Sequence, residues 1–175
     1  MIAACAVALA AVANAGTCGW GTALETYAYY AGTGTKVNNM MAYLFDATTY
    51  DQTSLLADYR GEGIAMGNVL DSVKVTSGEV YNETTSLVGD QPYKLYFAII
   101  DTANENIFIT TDKSLSGPGE GKEAYPEWNI ANASKAKAIE TNYAGAGWYT
   151  AVPEPTSGLL LLLGVAGLAL RRRRA

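Results

Sequence analysis

Histidine is absent from this 175-residue chain. That excludes the Ser-His-Asp triad, the Cys-His dyad and every histidine-ligated metal site, because each needs an imidazole as base or ligand. Cysteine is nearly absent, with Cys5 and Cys18 the two present. Positive charge is scarce and unevenly spread. Four of the twelve Lys and Arg are the terminal run Arg171, Arg172, Arg173 and Arg174. Residues 16–152 therefore hold eight basic residues against sixteen acidic ones, Glu154 being the seventeenth, for a formal charge of −8. Binding to a phosphate backbone needs a basic surface, so the acidic middle argues against nucleic acid as a partner.

Long apolar runs are confined to the two ends. Residues 1–15 are apolar except for Asn14, and residues 158–170 contain no polar side chain. All twelve Tyr, three Trp and three Phe fall between them. The 49% apolar composition thus describes three objects, divided as residues 1–15, 16–151 and 152–175.

The first object reads as a secretory signal, with residues 2–13 as its hydrophobic core. Ala13 and Ala15 place small side chains at −3 and −1, so signal peptidase is expected to cut before Gly16. No Lys or Arg precedes the apolar run, which leads us to expect that Met1 is an internal methionine of a longer reading frame. A buried N-terminal helix would want a polar face, and only Asn14 offers one. A lipoprotein reading would need its cysteine after the apolar run, whereas Cys5 stands before most of it.

The third object has three parts in order. Pro153, Glu154 and Pro155 form a stiff, extended punctuation, because each proline fixes its own φ and biases its predecessor away from helix. Thr156 or Ser157 can cap the apolar helix that follows. Thirteen residues at ~1.5 Å each reach about 20 Å, against a hydrocarbon core of roughly 30 Å, so the span is short. Arg171, Arg172, Arg173 and Arg174 act as a stop and hold that end on the cytoplasmic side, leaving the acidic domain outside. A plain tail anchor with a proline linker is the alternative reading.

This tripartite tail resembles the PEP-CTERM sorting signal of Gram-negative bacteria. The resemblance rests on Pro153-Glu154-Pro155, the Leu-rich segment and the terminal arginines, about 24 residues in all. It implies processing by an exosortase, a membrane-embedded cysteine transpeptidase-like enzyme. It also implies association with exopolysaccharide at the outer surface or in the extracellular matrix. On that footing the three residues of the motif are recognised by another protein's active site and are not catalytic here.

The middle reads as one β-rich domain punctuated by glycines. Residues 40–46 predict a buried strand, and 69–75 an alternating strand that turns at Ser77-Gly78 and runs back over 79–85. Residues 93–100 put Leu95, Phe97 and Ile99 on one face and Tyr96, Ala98 and Ile100 on the other, which predicts a central strand. Residues 107–111 and 147–152 predict two more. One helix is expected, capped by Asp51 or Thr53, carrying Leu55, Leu56 and Tyr59, and ending at Gly61. Residues 134–143 have partial helical spacing and stay open. Residues 116–123 read as a loop without the strand–helix context of a phosphate cradle. The expected fold is mainly β, a small β-sandwich or jelly-roll-like domain with one short helix. A signal peptide and a C-terminal transmembrane sorting helix flank it.

Candidate chemistry is thin. Asp101, Asn104 and Glu105, with Asn106 and Asp112, bring oxygens that suit Ca²⁺, although Asp and Asn are equally the residues of tight turns. Paired carboxylates could run glycoside hydrolysis, but seventeen scattered ones make some pair inevitable. Tyr27, Tyr29 and Tyr30, together with Trp128, Trp148 and Tyr149, are candidates for stacking on sugar rings. Their alternative role is to fill the core. Cys18 either pairs between chains in an oxidising compartment or is a small buried hydrophobe. The expectation is a non-enzymatic structural or adhesive surface protein with no cofactor; the alternative is a carbohydrate-binding module at the exopolysaccharide surface. Its partners would be signal peptidase, an exosortase-type enzyme and, transiently, the membrane.

Overall fold

The computed structural model describes residues 15–61, 63–88, 91–116 and 123–151. The expected leader before Ala15, residues 117–122 within the expected loop, and the whole tail from residue 152 lie outside the described residues.

The strongest periodic signal builds the centre of the molecule. Strand β5 spans Pro92–Asp101. Leu95, Phe97 and Ile99 enter one buried cluster, while Tyr96 and Ala98 enter a second on the opposite face. A strand apolar on both faces must be covered on both, so it takes a central place. Strand β2 (Met41–Asp46) pairs antiparallel with it and repeats the division, with Ala42 and Leu44 on one side and Phe45 on the other. Strands β3 (Asp71–Lys74), β6 (Asn106–Ile109) and β10 (Gly147–Thr150) complete the order β10-β6-β5-β2-β3. Strand β7 (Lys113–Ser116) pairs with the first half of β5, where β6 has left off. Thr110 sits at that break. Its hydroxyl accepts from the Phe97 N–H at 3.0 Å and its own N–H donates to the Phe97 carbonyl, so the ladder loses no bond.

The smaller sheet is built on strand β1 (Ala15–Thr22), with strand β4 (Tyr81–Val88) antiparallel on one side. The short strands β8 (Glu123–Ala124) and β9 (Glu127–Trp128) lie parallel to it on the other. The turn expected at Ser77-Gly78 is present, with φ of 53° and 83° at its two residues, the backbone that a tight hairpin turn demands. The hairpin is one bridge long, Thr76 and Glu79 pairing antiparallel through reciprocal backbone bonds of 3.1 and 2.9 Å. β3 joins β2 in the large sheet, whereas β4 crosses to β1 in the small one. Val75 and Val80, on either side of the turn, are both fully buried in the cluster that the two sheets share, which separates the strands.

Helix α1 (Gln52–Arg60) covers the other face of the large sheet. Asp51 caps it by accepting from the Ser54 N–H at 2.7 Å, and Gly61 ends it by donating to Ala57 and Asp58 carbonyls. Leu55 and Leu56 are buried against Phe45, Tyr96 and Ile107. Burying each such side chain stabilises by about 1.5–3 kcal/mol. Of the open segment 134–143, none continues as helix. Helix α2 is a single turn, Ala131–Ser134, and Ile139 instead bridges to Tyr149. The described residues are therefore mainly β, in two sheets with few helices. Among the described residues no helix is long and apolar enough to cross a membrane.

Candidate functional site

The last described residues matter most, because the tail leaves from them. β10 is an edge strand of the large sheet, and its residues alternate between the two clusters: Trp148 enters the one shared by the sheets, Tyr149 the one beneath α1. Trp148 Nε1 donates to the Tyr29 and Ser134 carbonyls at 2.9 and 3.0 Å. Tyr149 Oη donates to the Gly145 carbonyl at 2.6 Å and accepts from the Ala144 N–H. Beyond the strand, the Ala151 N–H donates to the Glu105 carbonyl at 2.7 Å. Arg60, in the last turn of α1, donates from Nε to the Thr150 carbonyl at 3.0 Å. Its Nη2 donates to the Glu140 and Thr141 carbonyls at 2.9 and 3.1 Å. One guanidinium thus ties three carbonyls at the point of exit, a use of the planar fork that lysine cannot copy. Sequence reading passed over Arg60. Its signal was its isolation, since every other arginine belongs to the terminal run.

The candidate sugar-stacking residues do not form an exposed platform. Trp128 is 3% exposed, Trp148 and Tyr149 0%. Trp128 stands edge-on to Phe97 with centroids 5.3 Å apart, and its Nε1 donates to the Thr111 carbonyl. Rings whose faces are covered offer none to a ligand, so these three are core residues, as large amphipathic rings commonly are. Tyr27, Tyr29 and Tyr30 are half-buried. The Lys36 ammonium sits 3.1 Å from the Tyr27 ring centroid and that of Lys135 4.6 Å from Tyr29, both as cation–π pairs.

The calcium candidates resolve into a turn. Asp101 is 1% exposed, and its Oδ1 accepts from the Ala103 and Asn104 N–H groups at 3.1 Å. Its Oδ2 accepts from the Asn104 side-chain amide at 2.7 Å. Glu105 turns outward at φ 53°, a conformation tight turns impose. Both Asp101 oxygens are committed within the turn, and among the described residues no three acidic, Cys or His side chains gather to hold a metal.

Cys18 is fully buried, with its Sγ–H directed at the Gly19 carbonyl. Burial first, and the Asp71 carboxylate second, push its thiol up to about 11. A buried thiol of that kind is an inert hydrophobe rather than a partner for a second chain.

Outside the described domain lies a C-terminal signal for protein sorting. The family model of the PEP-CTERM protein-sorting motif matches residues 151–174, so the chain carries that motif. The match starts at Ala151, the residue held by the Glu105 carbonyl, and takes in Pro153, Glu154, Pro155 and the four arginines. The motif implies export, a membrane-anchored intermediate and processing by an exosortase-type sorting enzyme. No curated protein and no solved structure matches the chain.

Proposed function

We propose that this protein is a surface or extracellular-matrix component of a Gram-negative bacterium, delivered by its two ends. Signal peptidase removes the leader between Ala15 and Gly16. The apolar segment 158–170 then holds the chain in the inner membrane, with Arg171 to Arg174 inside, until an exosortase-type enzyme cuts beside Pro153-Glu154-Pro155. The domain left outside is a small β-sandwich with a covering helix, and its role is structural or adhesive rather than enzymatic. The observation that carries the reading is the sorting motif at residues 151–174, which starts at the last described residue.

Replacing Pro153, Glu154 and Pro155 by alanines tests it. Intact mass of the exported chain should show the tail removed from the parent and retained on the variant. Equal processing of both would reject the motif as the sorting element.

A further inference from the structure

β1 sends Cys18 and Trp20 into the core, which leaves Gly19 and Gly21 on the outer face of the small sheet. Glycine weakens a strand interior and marks close approach of other groups. At Gly19 that group is the Tyr125 ring: a Cβ there would lie 2.5 Å from its Cδ1. Tyr81 stands in register opposite Gly21. Tyr81 is 57% and Tyr125 53% exposed, the two exposed aromatic side chains among the described residues. Both line one cleft, which continues past Thr22 and Glu127 into an open groove of about 210 Å³. Leu24, 88% exposed, lies at the groove on a turn with Glu25 at φ 61°. Glu25, Glu79 and Glu127 supply its carboxylates, and among the described residues no lysine or arginine lines either part.

We propose that this face binds a neutral oligosaccharide, with sugar C–H faces on Tyr81 and Tyr125 and sugar hydroxyls donating to Glu25, Glu79 and Glu127. The carboxylates disfavour uronic, sulfated or phosphorylated chains by like charge. A peptide would look for unpaired backbone groups at a sheet edge. β1 offers few, because β4 pairs with it on one side and β8 and β9 on the other. The groove is smaller than the roughly 300–1,000 Å³ of a pocket that engulfs its ligand, which suits a chain laid across it. The sorting route does not depend on this site, nor the site on the route.

Titration of the full chain in detergent with cellohexaose, xylohexaose, mannohexaose and chitohexaose is the test, with hexagalacturonate and hexalysine beside them. At least one neutral hexasaccharide should bind saturably, and the acidic one should not. Tyr81→Ala should weaken that binding by at least about tenfold, while Tyr81→Phe, which keeps the ring, stays within about twofold. Unchanged fluorescence of the buried tryptophans verifies that Tyr81→Ala is folded, and Glu127→Gln reports on the same groove from its other wall. Absence of binding by every neutral hexasaccharide overturns the proposal. So does binding of hexalysine alone, which would make the face a basic-peptide site, or equal affinity of Tyr81→Ala and parent.

Discussion

Asp71 joins the two sheets through one oxygen. Its Oδ2 accepts from Trp20 Nε1 at 2.7 Å, on the small sheet, and from the Asn82 amide at 2.6 Å, on the strand that crosses to it. Removing an acceptor from partly buried donors costs about 1–3 kcal/mol for each donor left unpaired. Asp71→Ala should therefore lower unfolding stability by roughly 2–4 kcal/mol, and Asp71→Asn, which keeps an acceptor, by clearly less. Urea denaturation followed by tryptophan fluorescence measures both, and equal losses would contradict the bridging role. Trp128→Ala should remove about 3–5 kcal/mol as a core truncation. A variant as stable as the parent would place that ring back at the surface. The bridging role of Asp71 was not legible along the chain. Asp71 read as one polar position of an alternating strand, because its partner Trp20 is 51 residues away in sequence.

Elements were legible where local chemistry decided them. β5 and β2 follow from apolar alternation, and α1 from a cap, a Leu pair and a terminal glycine, all within a dozen residues. Pairing was not. Ser77-Gly78 announces a turn correctly, yet which sheet β4 joins is settled by β1. Trp148 carried two readings, sugar platform or core, for the same reason, since its burial depends on Tyr29, far upstream. The α1 cap makes a prediction at this scale. The Ser54 N–H and side chain hold the Asp51 carboxyl below its ordinary 3.8. A depressed carboxylate stabilises the fold above that ordinary value and ceases to as pH falls through the lower folded one. Asp51→Ala should cost about 1 kcal/mol at neutral pH. The difference from the parent should vanish in acid; a gap that persists at the lowest pH would exclude the cap as its origin. Denaturation midpoints across pH 2–7 read both.

At the scale of the molecule, the layer beneath α1 is unusually phenolic. Tyr50, Tyr59, Tyr96 and Tyr143 lie in or against one cluster, and burial raises all four above their ordinary 10.0, Tyr143 to about 12. A phenol whose folded value is raised stabilises the fold fully below the unfolded value and stops doing so as pH climbs through the folded one. Stability should therefore hold up to about pH 10 and then fall through 12. Absorbance at 295 nm should show part of the tyrosine titrating only as the protein unfolds. Simple titration of every tyrosine near 10 in the folded protein would contradict the buried layer. The same whole-chain view sets an order of events at the other end. Ala15 and Gly16 are already strand, in register with Val88 and Leu87. A peptidase must grip the scissile segment as an extended strand of its own, through the very amides that β4 claims. On the proposed route the cut before Gly16 therefore has a deadline, set by the arrival of a segment about seventy residues later. Chains whose cleavage is blocked during export, then released after folding, should keep their leader; prompt removal would show that the small sheet opens on its own.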